Sequence, residues 1–313
     1  MQLGLTSCTL CPRRCGADRT LSNLSSQGAV GSFCGASDEL EVSSVCIHRG
    51  EEPPLNPIVN VFFTHCNLQC IYCQNWQISG KQSERKVESI DSLAERICIE
   101  LSKLSTPLLG FVTATHYIHQ LPPLIEAIHN RGIYPTVVYN CGGYESVESL
   151  RTLEGLIDIY LPDFKYMDSA IAKAYSHAPD YPEVAEASLR EMIRQVGAGL
   201  KVDDDGIAYR GLIVRHLVLP GHIDNSLAVL DKLSAISNQL STFNPIRLSL
   251  MAQYFPPREG LPAPLDRTFS AEEYGRVVAR AEELGLTEGW IQELGAQENY
   301  RPDFTKEENP FER

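Results

Sequence analysis

The chain's most constraining sequence feature is a regular alternation of short apolar runs and amphipathic stretches from about residue 57 onward. The apolar runs are continuous, which is typical of strands that helices cover on the outside and side chains fill on the inside. The predicted strands span 58–64, 108–113, 135–140, 156–161, 212–218 and 246–252. The predicted helices span 91–104, 118–130, 145–152, 182–197, 224–240 and 270–285.

This alternation predicts βαβ units and therefore a parallel sheet. Six repeats are fewer than the eight of a closed barrel, so we expect a partial (β/α)6 barrel of parallel strands over residues 57–297. A further strand is expected within residues 290–294. Residues 1–56 have little periodicity and predict a loop-rich, cysteine-rich metal-binding extension. Residues 298–313 form a polar tail that is expected to be extended or disordered.

The composition of the chain argues against several classes of function. The chain has 313 residues, 43% of them hydrophobic, which is enough for one barrel-sized core. A net charge of −13 without any basic run argues against nucleic-acid binding. No apolar run approaches the ~20 residues of a membrane helix, and the first residues do not resemble a signal peptide. We therefore expect a cytoplasmic protein without membrane contact, in which ten cysteines favour metal binding over disulfides.

Three cysteines follow the first predicted strand at the spacing C-x3-C-x2-C: Cys66, Cys70 and Cys73, here called the cysteine triplet. Buried thiols, disulfides and zinc are the alternatives. Structural zinc prefers four ligands, and only His65 is nearby as a fourth. The spacing favours a [4Fe-4S] cluster with three protein ligands, and Tyr72 would shield it from water. Its fourth iron could then bind a small molecule and pass it an electron.

A second group, here called the N-terminal cysteine set, comprises Cys8, Cys11, Cys15 and Cys34. Four cysteines can complete a tetrahedral zinc site, and glycines flank the last one, as tight turns around a metal require. A closed auxiliary iron–sulfur cluster and free thiols are the other interpretations. The sequence leaves all three open.

The triplet, with an aromatic residue before its last cysteine, resembles the motif of the radical S-adenosylmethionine superfamily. More narrowly, the chain is similar to PflX-type proteins, which are related to pyruvate formate-lyase activating enzymes. The matching stretches are residues 8–15, 50–55, 66–79, 138–140, 158–166 and 215–221.

This resemblance implies an oxidoreductase that uses the cluster to cleave S-adenosylmethionine reductively. The products would be methionine and a 5′-deoxyadenosyl radical that abstracts hydrogen from a substrate. It further implies a reducing electron donor, such as flavodoxin or ferredoxin. The substrate stays open between a small molecule and a protein, the latter in an activase of a glycyl-radical enzyme. A non-catalytic iron–sulfur or zinc scaffold, or an electron-transfer protein, is the alternative.

Ligands of parallel α/β folds bind outside the carboxyl ends of the strands. The residues predicted there to bind the cofactor are Thr115, His116, Asn140, Asp163, Lys165 and Arg215. By resemblance, Lys165 would neutralise the methionine carboxylate, and Asp163 would orient Lys165 or bind a cation. Arg215 and His216 alternate in facing, and we expect Arg215 to point inward.

One stretch departs from the family pattern. Many members carry Gly-Gly-Glu after the second strand to receive the cofactor's amino group, where this chain has Thr-Ala-Thr-His at residues 113–116. We therefore assign amino-group recognition to Thr115 and the local backbone, with His116 nearby. The missing stretch is also what supports the non-catalytic alternative.

Overall fold

The computed structural model describes residues 5–20, 24–25, 28–50, 52–81, 83–84, 86–240, 245–298, 301–306 and 309–311. Its strands are β1 Leu24–Ser25, β2 Gly28–Ala29, β3 Leu40–His48, β4 Ile58–Phe63, β5 Val87–Glu88, β6 Leu108–Val112, β7 Thr136–Cys141, β8 Ile159–Pro162, β9 Lys201–Val202, β10 Ala208–Leu217, β11 Arg247–Met251 and β12 Trp290–Ile291. Its α-helices are α1 Trp76–Ser79, α2 Ile90–Leu101, α3 Leu121–His129, α4 Val147–Arg151, α5 Ser169–Ser176, α6 Tyr181–Val196, α7 Ile223–Gln239 and α8 Ala271–Glu283.

A single sheet organises most of the chain, with strand order β12-β11-β10-β8-β7-β6-β4-β3-β5. Along this order, neighbouring strands from β4 to β12 pair in parallel, while β3 and β5 extend the β4 edge by antiparallel pairing. Strand β9 lies outside this order and pairs antiparallel with β10. The two edge strands β12 and β5 do not pair with each other in the described chain, so the barrel is open. The predicted partial (β/α)6 barrel is confirmed, and the strand expected near residue 290 is β12.

Helices cover the outer face of the sheet because each has one apolar stripe. In α2, Leu93, Ala94, Ile97 and Leu101 recur at helical spacing and are buried. Ser89 begins this helix by accepting a hydrogen bond from the Ser92 N–H. Each large aliphatic side chain buried in this way contributes about 1.5–3 kcal/mol relative to exposure. Of the helices described, none is both long and apolar enough to cross a lipid bilayer.

Of the elements that the sequence analysis did not predict, β3 and α5 are the longest. Strand β3 lies in the extension that was expected to have little regular structure, and it pairs antiparallel with β4, Val45 opposite Val61. The expectation is therefore wrong for Leu40–His48, which belong to the main sheet. Helix α5 is only eight residues long, and Asp168 caps it by accepting from the N–H groups of Ala170 and Ile171. A helix this short gives too few turns for its period to stand out.

The C-terminal tail packs against the sheet where it is described. The rings of Phe304 and Phe311 lie 5.3 and 5.6 Å from that of Phe62 on β4, centroid to centroid. The Phe304 N–H donates to Gln77 Oε1 at 2.9 Å. The expectation of an extended or disordered tail is wrong for residues 301–306 and 309–311, because these two aromatic side chains find an apolar surface on β4. Residues 299–300, 307–308 and 312–313 lie outside the described residues.

Candidate active site

The cysteine triplet lies on the loop that follows the carboxyl end of β4. Two other residues of this loop have left-handed backbone angles. His65 has φ 72° and Gln69 has φ 52°, which is unfavourable for residues other than glycine. Hydrogen bonds hold the His65 ring on both sides, with Nε2 at 2.9 Å from Glu41 Oε2 and Nδ1 at 2.9 Å from the Gly80 carbonyl. These contacts fix the loop in a shape that brings its three cysteines together.

Each sulfur of the triplet accepts a hydrogen bond. The Leu68 N–H donates to the first sulfur at 3.3 Å, Ser176 Oγ to the second at 2.9 Å, and Ser79 Oγ to the third at 3.3 Å. Burial and the neighbouring sulfurs raise the pKa of the Cys66 thiol to about 12. A bound cation would therefore be needed to make it a thiolate at neutral pH.

A chain of hydroxyl groups continues inward from the second sulfur. Tyr72 Oη lies 2.5 Å from Tyr166 Oη, which lies 2.7 Å from Ser176 Oγ. Both tyrosines are buried, and Tyr72 is the aromatic residue before the last cysteine of the triplet. The chain fixes the direction of the Ser176 hydroxyl, so its hydrogen bond to Cys70 is preorganised.

Replacing Ser176 by alanine is expected to make a cluster on the triplet harder to reduce. A hydrogen bond to sulfur stabilises the reduced, more negative state more than the oxidised one. If that difference is about 1 kcal/mol, the reduction potential falls by about 40 mV. A redox titration followed by electron paramagnetic resonance (EPR) measures the shift, with Ser102→Ala on the exposed end of α2 as the control. An unchanged potential in Ser176→Ala would refute a tuning role.

A cavity of about 420 Å³ opens beside the triplet at the carboxyl ends of the parallel strands. Its volume is in the usual range of small-molecule sites. Polar side chains from successive strand ends line it, namely those of Thr113, Asn140, Asp163, Lys165, Arg215, Ser249 and Gln253. The expected convergence of strand ends on the triplet is therefore observed for four of the six predicted cofactor-binding residues, Asn140, Asp163, Lys165 and Arg215.

Lys165 and Asp163 form an ion pair on the cavity wall, Nζ to Oδ2. Burial alone would lower the pKa of the Lys165 ammonium, but the Asp163 carboxylate and the nearby Cys70 hold it well above its usual value. The Lys165 side chain is 15% exposed, so it still reaches the cavity. The wall thus carries a permanent positive charge with an adjacent carboxylate that orients it.

Arg215 also faces the cavity, where its guanidinium is paired with Glu52, a residue that the sequence did not indicate. Its Nε and Nη2 donate to the two carboxylate oxygens of Glu52 at 2.8 and 2.7 Å. His216 points the other way, where its ring nitrogens lie 2.7 Å from the Phe164 carbonyl and 2.9 Å from Ser226 Oγ. The expected inward facing of Arg215 is observed, but its guanidinium is committed to Glu52 rather than free for a ligand.

Thr115 and His116 are not brought to the cavity. The chain enters a 3₁₀ helix at Thr115–Gln120 directly after β6, and both side chains are buried. Thr115 Oγ1 donates to Glu145 Oε1 at 2.7 Å, and His116 Nε2 lies 2.7 Å from the Thr64 carbonyl. Thr113, which has φ 59°, lines the cavity after β6 instead. Side-chain facing after a strand depends on this local turn, which spacing alone does not predict.

Glu145, the acceptor of the Thr115 hydroxyl, is fully buried, and burial raises its pKa from 4.5 to about 7 despite hydrogen bonds from Thr115, Tyr139 and Cys141. A carboxyl group whose folded-state pKa is raised stabilises the fold below its unfolded pKa, and this stability is lost as pH rises through about 7. Wild type should therefore lose up to about 3 kcal/mol between pH 5 and 8 that Glu145→Gln does not lose.

Urea unfolding at several pH values measures this difference, because only the slope with pH is compared and any fixed cost of the amide drops out. Glu282→Gln, at an exposed position of α8, should keep the wild-type slope. Parallel pH profiles for Glu145→Gln and wild type would contradict the prediction.

The N-terminal cysteine set is brought together in a second, smaller pocket. His116 and Arg19 line it as well. Among the described residues, neither this set nor any other group of three or more His, Cys, Asp or Glu side chains already surrounds one point closely enough to hold a single metal ion. None of the ten cysteines forms a disulfide in this structure.

The sequence matches no protein-family model. It is similar to the uncharacterized protein MJ0674 of Methanocaldococcus jannaschii, at 25% identity over 292 residues that cover 90% of this chain and 75% of that protein. Among solved structures, the chain is similar to HydG, a maturase of the [FeFe]-hydrogenase, with a TM-score of 0.48 and 16% identity over 72% of this chain and 48% of HydG. It is also similar to methylornithine synthase (PylB), with a TM-score of 0.43 and 12% identity over 72% of this chain and 60% of PylB.

The chain thus spans about half the length of HydG and about three-fifths of that of PylB. Each of these similarities is distant.

Proposed function

We propose that this chain is a radical S-adenosylmethionine enzyme whose triplet binds a [4Fe-4S] cluster and whose cavity binds S-adenosylmethionine. One observation carries the proposal: the three cysteines border the same cavity as Lys165 and Asn140, at the carboxyl ends of the parallel strands. An electron-transfer protein has no need of a cavity of about 420 Å³ beside its cluster. That space supports an enzyme over the non-catalytic alternative.

The donor set suits a cluster with one open iron. Cys141 also borders the cavity, but it belongs to strand β7 and not to the loop of the triplet, which leaves the three sulfurs of that loop for iron. Hydrogen bonds from Leu68, Ser176 and Ser79 would stabilise these sulfurs as thiolates. When bound, the cluster supplies one electron for reductive cleavage of S-adenosylmethionine to methionine and a 5′-deoxyadenosyl radical.

The residues of the cavity wall would then bind and orient the cofactor. Lys165 would pair with the methionine carboxylate, since an ammonium group is a compact charge partner. Asp163 would keep that ammonium charged and directed into the cavity. Asn140 would offer its amide to the ribose or the amino acid part of the cofactor. Glu52 and Arg215 would keep each other's side chains in fixed positions on the cavity wall through their ion pair.

We further propose that the substrate is a small molecule rather than a loop of a partner protein. A protein substrate needs an open groove, whereas Pro302 and Phe311 of the C-terminal segment border this cavity. Phe311 is held there by its ring contact with Phe62. Hydrogen abstraction requires that water be excluded from the radical, and an apolar covering segment serves that purpose.

Anaerobic reconstitution with iron and sulfide, reduction and addition of S-adenosylmethionine test the function. We expect methionine and 5′-deoxyadenosine in equal amounts, and a faster reaction with the small-molecule fraction of a cell extract. A reconstituted cluster that yields no 5′-deoxyadenosine under any condition would reject the enzyme. Acceleration by the protein fraction alone would instead support an activase.

A further inference from the structure

The N-terminal cysteine set shares one pocket. Its four thiols line an enclosed void of about 10 Å³, which is the size of a single water or ion. Backbone hydrogen bonds close the loop that carries the first three cysteines: the Cys8 N–H donates to the Ala17 carbonyl at 2.9 Å, and the Gly16 N–H donates to the Cys8 carbonyl at 3.1 Å. The loop is thus fixed in a shape that brings these sulfurs to the same pocket as Cys34.

A buried cation lies beside these sulfurs. Arg19 has no exposed surface, and its guanidinium donates to the carbonyl groups of Ala36, His116 and Ser37 at 3.1, 2.7 and 2.5 Å. Its Nη1 lies 3.9 Å from Cys8 Sγ. In the described part of the chain, no carboxylate forms an ion pair with this arginine.

A fully buried charge without an opposite charge costs several kcal/mol. The carbonyl groups around Arg19 are neutral, so the sulfurs are the available source of negative charge. Four thiolates in one pocket would repel one another strongly unless a metal cation lay between them. Both zinc and an oxidised [4Fe-4S] core with four thiolates keep a net charge of −2, which a guanidinium partly neutralises.

We propose that Cys8, Cys11, Cys15 and Cys34 bind a metal–thiolate centre and that Arg19 is its buried counter-cation. The sulfurs do not surround one point as they stand, so binding would rearrange them around the metal. The shared chemistry is thiolate ligation, which suits zinc or a closed iron–sulfur cluster. The void is the size of a single ion, so a cluster would also require the pocket to widen. This proposal does not depend on the radical chemistry of the cavity.

The metal centre would stabilise the loop of the triplet, because the segment that carries it is hydrogen-bonded to that loop. Gln69 Nε2 donates to the carbonyl groups of Phe33 and Cys34 at 3.1 and 3.2 Å. Arg13 Nε donates to the Asn67 carbonyl at 2.9 Å.

Gly35 has φ 95°, and a Cβ there would lie 3.0 Å from Lys81 Cα and 3.1 Å from His65 Nδ1. The two cysteine groups are thus packed directly together, and metal binding at the first would fix the shape of the second.

Elemental analysis of the full chain tests the site without any activity measurement. The variant Cys66→Ala/Cys70→Ala/Cys73→Ala removes the triplet and should still carry about one zinc or about four irons per chain. The variant Cys11→Ser/Cys34→Ser should lose that metal and keep the iron of the triplet. Cys98→Ser on α2 is the matched control and should keep both.

Zinc in the triplet variant identifies a structural zinc site, and iron with a charge-transfer absorption band identifies a cluster; either outcome supports the proposal. A triplet variant that binds neither metal would overturn it, even if the Cys11→Ser/Cys34→Ser variant fails to fold. Failure of S-adenosylmethionine cleavage would concern the cavity alone.

The role of Arg19 has its own measurement. We expect Arg19→Gln to weaken metal binding about tenfold in competition with a chelator. Arg19→Lys keeps the charge but not the guanidinium fork, and it should restore part of the binding. Equal chelator resistance in wild type and Arg19→Gln would show that Arg19 does not stabilise the metal.

Discussion

Replacing Cys70 by alanine is expected to abolish both the cluster of the triplet and the cleavage of S-adenosylmethionine. A [4Fe-4S] cluster held by two thiolates has lost a third of its protein ligands, and Cys70 also receives the Ser176 hydrogen bond. About four irons per chain should be lost, and 5′-deoxyadenosine formation should fall by more than about 10³-fold. Iron analysis and chromatography of the products measure the two effects.

Cys98→Ala is the matched control, because Cys98 is a half-buried cysteine on α2 outside both cysteine groups. It should keep wild-type iron content and turnover. Full iron loading together with normal cleavage in Cys70→Ala would show that the triplet is not the ligand set.

Replacing Lys165 by methionine is expected to weaken binding of S-adenosylmethionine by about 10- to 100-fold while the cluster stays loaded. The loss corresponds to a charge-assisted hydrogen bond of about 1.5–3 kcal/mol. Because Lys165→Met would leave Asp163 without its partner, the double variant Lys165→Met/Asp163→Asn should be measured beside it. Equilibrium binding of labelled S-adenosylmethionine to the reconstituted protein gives the affinity.

Lys173→Met, an exposed position on α5, should leave the affinity unchanged. A role in carboxylate binding predicts a raised KM with a smaller change in kcat, whereas a general structural role predicts loss of iron and a lower melting temperature. Wild-type affinity in both Lys165 variants would exclude Lys165 from the binding site.

Most of the barrel could be predicted from the sequence, because its strands are buried on both faces. Continuous apolar runs such as Ile58–Phe63 have no competing helical interpretation at their length, and the amphipathic stretches between them are long enough to show their period. The triplet could also be predicted as a ligand set, because the spacing of ligands on one loop is a local property of the sequence. Its position at the carboxyl end of β4 then followed from topology.

Pairs that are distant in sequence could not be predicted. Glu52 meets Arg215 across 163 residues, and Ser176 meets Cys70 across 106, so no local pattern records either contact. The position of Thr115 depended on the 3₁₀ helix that follows β6.

The burial of Arg19 could not be predicted either, because an arginine in a loop is normally solvent-exposed. Its complete burial became visible only once the N-terminal residues were folded against the loop of the triplet.

The central claim is that the triplet leaves one iron open toward the cavity that holds Lys165. EPR spectra of the reduced protein, recorded with increasing S-adenosylmethionine, test it most directly. We predict that the signal of the reduced cluster changes shape on saturable binding, and that Lys165→Met requires about 10- to 100-fold more S-adenosylmethionine for the same change. A reduced cluster whose spectrum is unaffected by S-adenosylmethionine at any concentration would contradict the claim.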